Sequence, residues 1–406
     1  MIVPDLPAGP ARPADSRRLI TSAALRFVLL VGVMSFFADF TYEGSRSIVG
    51  QYLALFGAGA FVIALITGVG ELVGYGLRLW SGPLADRTQR YWPVAIVGYV
   101  VQMAAVPLLA LAGSLPVAAF LVILERAGKA TRNPSRDAML SHAAKEIGYG
   151  WGFGVHEALD QFGATFGPLA VALVLTLSHG EYHLAFASLA VTAAINLSLL
   201  LLARSQYPRP QNLSAGPPLV TTSGYPRVYW LYLGAAALVA AGFADFPLIA
   251  YHFEQSRIAP IAFVPVFYSV AMAVGGTGSL LFGRLYDRWG IGVLVPLTVL
   301  GALYAPLVFL GGMWSGLIGS ALWGLGMGVS ESIIPAAVSP MVSDDRRASA
   351  LGLFTGIYGT AWFLGSLAIG ALFGVSLDLV VAFALVAELA AIPVLLRVRR
   401  RIAAPA

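Results

Sequence analysis

Nine acidic side chains interrupt the long apolar segments of this 406-residue sequence. A carboxylate that leaves water without a partner is costly, so acids within apolar segments are expected to face a polar interior. Such a carboxyl group can bind and release a proton during a functional cycle. The nine acids are Asp39, Glu43, Glu71, Glu125, Glu157, Asp160, Asp245, Glu331 and Glu388.

The first apolar segment carries two of these acids and a base on one helical face. Asp39, Glu43 and Arg46 lie at i, i+4 and i+7, so their side chains project from the same side of a helix. Arg46 is predicted to neutralise one acid and to leave the other free to exchange a proton. Asp39 recurs as Asp245 in the second half of the chain, and the two are interpreted either as cavity-lining acids or as a helix-packing device.

Two further acids are predicted to lie near the middle of the membrane. Asp160 is about ten residues into its segment and Glu331 about sixteen into its own, at ~1.5 Å of rise per residue. Both are predicted to couple protons to function. His156 lies four residues before Asp160 on the same face, with Glu157 turned aside. His156 is assigned either to this coupling site or to an interhelical hydrogen bond.

Arg126 is a cation at intermediate depth, directly after Glu125. It is predicted to hold an anionic substrate or to tune a coupling acid, and a fixed ion pair with Glu125 is the alternative. Glu388 lies near the Arg397–Arg401 cluster and is interpreted as a surface acid. No metal site is predicted, and no cofactor is expected besides the proton as coupling ion.

The composition indicates a membrane protein. Apolar residues make up 58% of the chain and charged residues 11%, whereas about a quarter of a soluble protein is charged. A chain of this length cannot bury so much apolar surface in water, so the lipid bilayer is the expected solvent. The 45 glycines fit closely packed transmembrane helices. No phosphate-binding loop between a strand and a helix is present, and no enzymatic activity is predicted.

The apolar pattern predicts an all-α membrane protein with twelve transmembrane helices. Each span is long enough to cross a hydrocarbon layer of about 30 Å. A polar linker at 204–226 divides the spans into two six-helix bundles at 25–203 and 227–397, with tails at 1–24 and 398–406. The predicted spans are 25–45, 53–78, 92–112, 115–135, 150–177, 183–203, 227–251, 260–282, 291–311, 315–338, 349–373 and 377–397.

Lysine and arginine set the predicted orientation. With both termini in the cytoplasm, all 25 basic residues except Arg46 and Arg257 lie on the inner face, as the positive-inside rule requires. No cleavable signal peptide is evident, and the bacterial inner membrane is the expected location. This distribution accounts for the net charge of +5, so no nucleic-acid partner is predicted. The expected partners are the bilayer and a small-molecule substrate, and the expected state is a monomer.

A charged segment recurs once in each half of the chain, about two hundred residues apart. In each copy Gly is followed by Leu two residues later and by Asp-Arg two residues after that. The segment is predicted to be a tight cytoplasmic turn that works as a gate, with its Asp against the positive end of a helix in the other half. The gate residues are Gly82, Asp86, Arg87, Arg90, Arg136, Gly283, Asp287 and Arg288.

Twelve helices, the six-plus-six repeat and these Gly-x-Leu-x-Asp-Arg segments resemble the major facilitator superfamily. The resemblance covers the chain from about residue 25 to residue 397. It implies a secondary transporter in which two bundles rock around a central pathway, giving alternating access to the two sides of the membrane. The first segment departs from the pattern at Thr88-Gln89.

The fifth span resembles the glycine signature of proton-coupled drug antiporters in that superfamily. Gly154, Gly163, Gly167 and Pro168 carry the resemblance, and Val171-Ala172 replaces two further glycines. These four residues are predicted to form a kinked helix at the interface between the halves. The resemblance implies proton-coupled export of a small amphipathic or drug-like compound. The alternatives are uptake of a small metabolite by proton symport or facilitated diffusion, and a non-transporting membrane receptor or scaffold.

Overall fold

The computed structural model describes residues 14–88, 91–208, 224–338, 341–342 and 347–403. Within these ranges the chain is helical apart from short connections, and no strand is present. The α-helices in these ranges are α1 (Ala14–Leu55), α2 (Ala60–Thr88), α3 (Tyr91–Leu108), α4 (Leu115–Ile147), α5 (Tyr149–Leu177), α6 (Tyr182–Gln206), α7 (Arg227–Gly242), α8 (Phe246–Gln255), α9 (Val264–Trp289), α10 (Leu294–Ala302), α11 (Tyr304–Phe309), α12 (Met313–Ala336), α13 (Arg347–Phe373) and α14 (Leu377–Ala403).

Eleven stretches of the described chain are long and apolar enough to cross a membrane. The predicted fourth span is not among them, although α4 has 33 residues, because charged side chains interrupt its apolar sequence. The prediction of an all-α membrane protein is confirmed, with a helix count close to the predicted twelve. The first span differs most in length, since α1 continues to Leu55.

The predicted seventh span consists of two helices. Residues 243–245 separate α7 from α8, and Pro247 lies in the first turn of α8. Asp245 caps α8, because its Oδ1 accepts a 3.0 Å hydrogen bond from the Phe246 backbone N–H. The break therefore fixes an acidic side chain at a point where one helix ends and another begins.

Side chains from neighbouring helices bind the backbone groups that this break releases. The Tyr304 hydroxyl donates a 2.9 Å hydrogen bond to the Gly242 carbonyl and accepts a 2.7 Å hydrogen bond from the Ala244 backbone N–H. Trp323 Nε1 donates to the Ala244 carbonyl at 2.8 Å. Irregular backbone at membrane depth is tolerated where protein groups satisfy it in this way.

Helices α1–α6 pack mainly on one another, and so do helices α7–α14. The pairs α1 with α8, α2 with α13 and α5 with α9 carry most of the contact between the two sets. Where α1 meets α8, a side chain at Gly50 would overlap the Pro247 carbonyl, so the two backbones touch. This contact closes the space between the two sets at one end.

The fifth-span glycines pack inside one set of helices. A Cβ at Gly163 would overlap the Phe36 carbonyl of α1, and a Cβ at Gly167 would overlap the Phe40 carbonyl. Helix α5 also contacts α9 of the other set, while these two glycines face α1 within their own set. Pro168 lies within α5, which continues unbroken to Leu177.

Candidate functional site

A cavity of about 780 Å³ lies between the two sets of helices. Helices α1, α2, α4 and α5 form one side of its wall, and α9, α12 and α13 form the other. Aromatic rings of Tyr42, Tyr75, Phe153, Phe354 and Tyr358 contribute to the lining. The wall also carries an unusual number of ionisable groups, which are Asp39, Glu43, Arg46, Glu71, Arg78, Arg126, Lys129, Arg136, Glu157, Asp160 and Glu331.

Asp39 is held by a fully buried arginine that sequence analysis assigned only to the cytoplasmic side. Arg132 of α4 donates a 3.2 Å hydrogen bond from Nη2 to Asp39 Oδ1. It also donates from Nε to Gln102 Oε1 at 2.5 Å and from Nη1 to the Tyr99 hydroxyl at 3.1 Å. These three partners fix the guanidinium group and, through it, the position of Asp39.

The spacing of charges along α4 could have identified this arginine. Glu125, Lys129, Arg132 and Arg136 follow at intervals of four, three and four residues, so they share one helical face. Each of them is buried or half-buried. A charged stripe on a membrane helix must face the protein interior, and this pattern therefore indicates a polar core rather than a cytoplasmic end.

Asp39 and Asp160 both line the central cavity, and their carboxyl groups are close enough to interact electrostatically. Two ionised carboxylates at such a distance repel, and a shared proton turns the repulsion into a hydrogen bond. Asp160 Oδ1 is buried and has no hydrogen-bond partner in the described part of the chain. The pair joins an acid of the first span to an acid of the fifth span. Spacing along the sequence could not predict this pairing, because the two residues lie on different helices.

Glu43 connects the two sets of helices. The Tyr268 hydroxyl of α9 donates a 2.5 Å hydrogen bond to Glu43 Oε2, and Lys129 Nζ lies 3.8 Å from Glu43 Oε1. The same ammonium group lies 3.7 Å from the centroid of the Tyr42 ring, in a cation–π contact. Glu43 is therefore bound both by a cation of its own set and by a hydroxyl group of the other.

Arg46 binds an acid of the other half of the chain, which corrects its predicted pairing with Asp39 or Glu43. Its Nη2 lies 2.6 Å from Asp245 Oδ1 and 3.3 Å from Glu71 Oε1. The break after α7 brings Asp245 to this position, while α4 supplies the cations that bind the two acids of α1.

Arg126 lies in a chain of ion pairs with two acids. Its Nη2 is 3.0 Å from Glu71 Oε1, and its Nε is 3.7 Å from Glu125 Oε2. Glu125 also accepts a 2.9 Å hydrogen bond from Gln102 Nε2. This arrangement corresponds to the fixed Glu–Arg pair that the sequence left open as an alternative, with Glu71 as a further partner.

His156 forms an interhelical hydrogen bond, which was one of its two predicted roles. Its Nε2 lies 2.8 Å from the Ser35 hydroxyl group of α1. Arg136, predicted as a gate residue, donates from Nη1 to the same hydroxyl at 3.3 Å and pairs with Asp137 at 2.9 Å. Arg136 thus belongs to the wall of the central cavity.

Glu157 and Glu331 are exposed acids on opposite sides of the cavity. Glu157 accepts a 3.1 Å hydrogen bond from Gln161 Nε2 on its own helix. Neither acid forms an ion pair within the described ranges. They place carboxyl groups in the open part of the cavity, whereas the paired acids lie deeper in its wall.

The model of the Major Facilitator Superfamily matches residues 28–366 of the chain. The chain belongs to this superfamily. Proteins of Mycobacterium tuberculosis and Mycobacterium bovis, both described as uncharacterized, are 40% identical to it over 403 residues, covering 98% of this chain and 97% of theirs. An uncharacterized MFS-type transporter of Methanocaldococcus jannaschii is 28% identical over 363 residues, covering 86% of this chain and 89% of its own.

Solved structures of superfamily transporters share this fold. A peptide transporter POT superimposes with a TM-score of 0.72 at 14% identity, covering 95% of this chain and 98% of its own. The nucleoside transporter NupG also superimposes with a TM-score of 0.72, at 13% identity, covering 93% of this chain and all of its own. At these identities the likeness establishes the fold of a multi-pass membrane transporter and leaves the substrate open.

The superfamily's repeated charged segments are helical in this chain. Helix α2 continues through Gly82 to Thr88, and α9 continues through Gly283 to Trp289, so neither segment is the predicted turn. Arg288 is exposed. The side chains of Asp86, Arg87 and Asp287, and the whole of Arg90, lie outside the described part of the chain, and their gate role stays a prediction.

Glu388 is buried, which corrects its interpretation as a surface acid. Only 1% of it is exposed, and it lies among helices of the α7–α14 set, away from the Arg397–Arg401 cluster. The apolar residues on both sides of Glu388 in the sequence were the available signal, because an acid in the middle of such a run is expected to face inward.

Proposed function

We propose that this protein is a proton-coupled secondary transporter that exports a small amphipathic compound by alternating access. The observation that carries the proposal is the pair of carboxyl groups, Asp39 and Asp160, in the wall of the central cavity. A pair that shares one proton can release it when the surroundings change and bind it again later in the cycle.

Proton exchange at this pair is linked to the rest of the cavity through Arg132. With the shared proton present, Asp39 binds both Asp160 and Arg132. After the proton leaves, the repulsion between the two carboxylates favours their separation, while Arg132 continues to hold Asp39. Asp160 is then free to turn toward the cavity and to bind a cationic group of the substrate, so proton and substrate compete for one carboxylate.

The cavity suits a small organic compound with both apolar and charged parts. Its volume of about 780 Å³ falls within the range of small-molecule sites, roughly 300–1,000 Å³. Tyr75 and Phe354 offer apolar surface, and Glu157 and Glu331 offer exposed negative charge. An amphipathic cation would place its rings against the former and its charge near the latter.

Contacts along α1 close one end of the cavity, as alternating access requires of each of its states. Tyr268–Glu43, Arg46–Asp245 and the Gly50–Pro247 contact succeed one another along α1 and hold that end closed. In the predicted orientation this is the outer end, and the cavity faces the cytoplasm. Export would begin with substrate binding from inside, followed by rupture of these contacts and release outside.

Everted membrane vesicles containing the protein test the direction and the coupling ion. We expect ethidium, an amphipathic cation, to dissipate a pre-formed proton gradient in these vesicles and not in vesicles lacking the protein. A gradient that persists with ethidium, while a dipeptide or a nucleoside enters right-side-out vesicles together with protons, would replace export by uptake. If none of these probes crosses the membrane, the alternative of a non-transporting membrane receptor or scaffold is favoured.

A further inference from the structure

A second, smaller cavity lies within the α7–α14 set and, among the residues that the structure describes, shares only Ser330 with the lining of the central cavity. Its volume of about 30 Å³ is large enough to hold water, since a cavity needs at least roughly 10–15 Å³ to hold one molecule. Apolar side chains of α7, α10, α12 and α14 form most of its wall. The polar groups in the wall are those of Tyr232, Thr298, Ser330 and Glu388.

Glu388 is the acidic group of this cavity. It is 1% exposed, and its Oε1 has no hydrogen-bond partner in the described part of the chain. Space for its side chain comes from two glycines: a Cβ at Gly242 would lie 2.8 Å from Glu388 Cγ, and a Cβ at Gly301 would lie 3.5 Å from Oε2. The carboxyl group is thus enclosed by protein and borders a space of water size.

No cation compensates Glu388 within the described ranges. No lysine or arginine of the described residues forms an ion pair with the Glu388 carboxyl group. The titratable groups near Glu388 are the hydroxyls of Tyr232 on α7, Tyr304 on α11 and Tyr358 on α13. The Tyr304 hydroxyl already binds the backbone at the break between α7 and α8. A bare carboxylate in these surroundings would cost far more free energy than a neutral carboxylic acid.

Ser330 belongs to the walls of both cavities. Its hydroxyl group donates a 2.8 Å hydrogen bond to the Gly326 carbonyl and interacts with the Tyr358 side chain, and a hydroxyl oxygen has two lone pairs with which it can accept from water. Tyr358 lines the central cavity on the same side. A water in the small cavity could therefore connect the Glu388 carboxyl group to the central cavity through Ser330.

We propose that Glu388 is a second proton-binding site, located in the α7–α14 set and reached from the central cavity past Ser330. The ligand is a proton together with water. The existence of this site does not depend on the proposed function, but its role in transport does. In the proposed transport cycle, Glu388 stores a proton in one half of the chain while Asp39 and Asp160 exchange a proton in the other half.

Infrared spectroscopy of the full-length protein in lipid nanodiscs at neutral pH tests the site without any transport. We expect the wild-type spectrum to contain the C=O stretch of a protonated carboxylic acid that Glu388→Gln lacks. Glu388→Met, which has similar volume and no acid, should lose the same band and serves if Glu388→Gln unfolds. Asp378→Asn, at an exposed acid of the same helix, should lose a carboxylate band instead.

Loss of a carboxylate band in the Glu388 variants would overturn the proposal, because the acid would then be ionised. The proposal would also be overturned if the band of the protonated acid disappeared when sodium replaced potassium in the buffer. That result would indicate a cation site at Glu388. Either result leaves proton-coupled export untouched, and failure of the vesicle experiment leaves the infrared result standing.

The rate of hydrogen–deuterium exchange at Glu388 tests the proposed route past Ser330. This rate is measured from the shift of the Glu388 C=O band after transfer of the protein to heavy water. Ser330→Val puts a larger apolar side chain between the two cavities and is expected to slow the shift several-fold. Thr298→Val removes a hydroxyl group from the small cavity alone and is the matched control. Equal rates in the two variants would contradict a path past Ser330.

Discussion

Arg46 of α1 lies 2.6 Å from Asp245, the residue that caps α8, so one ion pair joins the two halves of the chain. Both side chains are almost completely buried. Four residues farther along α1, the backbone of Gly50 touches that of Pro247. In the proposed transport cycle, opening of the molecule at this end requires the ion pair to break, so a weaker pair should favour the open form.

We predict that Asp245→Asn raises the population open at this end. Asparagine retains the cap on α8 and removes the charge that binds Arg46. The chain has no cysteine, so Ser269→Cys supplies a single reporter at the buried contact of α9 with the Thr165 carbonyl of α5. A membrane-impermeant maleimide should label this cysteine several-fold faster in Asp245→Asn.

Asp378→Asn is the control for the lost charge, since Asp378 is an exposed acid. It should leave the labelling rate at the level of Ser269→Cys alone. The role of the Arg46–Asp245 pair in closing this end is contradicted if Asp245→Asn and Asp378→Asn are labelled equally fast.

A second prediction concerns the fully buried Arg132. Arg132→Met leaves Asp39 and Gln102 without their cation, and loss of one partner of a buried ion pair costs about 3–5 kcal/mol. Thermal unfolding of the purified protein in detergent should show a large loss of stability. Arg288→Met, at an exposed position, should change it little. The double variant Arg132→Met/Asp39→Asn should recover part of the loss, and no recovery would argue against the Asp39 pairing.

A third prediction compares two glycines of the α5 signature, one that packs against a neighbouring helix and one that does not. Gly163→Ala places a methyl group against the Phe36 carbonyl, and such overpacking costs about 1–3 kcal/mol. Gly154→Ala, on the same helix, meets no atom within 4 Å and should be neutral or slightly stabilising. Unfolding midpoints measured side by side give the comparison. A stable Gly163→Ala would mean that α1 and α5 do not approach this closely.

The sequence was sufficient for the class of fold and for the location of the polar core. Acids in apolar segments had to face inward, and Asp39, Glu43, Arg46 and Asp160 all line the cavity. The repeat, the linker and the charged segments indicated the superfamily that the comparisons establish. These features depend on local patterns or on spacing, which sequence reports directly.

Partner choice could not be derived in the same way. Spacing placed Arg46 with the acids of its own helix, but the break after α7 delivers Asp245 to it from about two hundred residues away. The fifth span was predicted to be an interface helix, and α5 contacts α9, but the sequence could not show that Gly163 faces α1, because helix rotation depends on the packing of the whole set. Long-range pairing requires tertiary structure.

The central claim is that the Asp39–Asp160 pair couples protons to transport. Asp160→Asn keeps a hydrogen bond to Asp39 and removes the shared proton. In proteoliposomes containing the purified protein and a trapped pH-sensitive dye, an ethidium gradient should move protons in the wild type. Asp160→Asn should move no protons, and it should exchange ethidium more slowly because it lacks the carboxylate that proton and substrate share, whereas Asp378→Asn should behave as the wild type. Proton movement at the wild-type rate in Asp160→Asn would contradict the account.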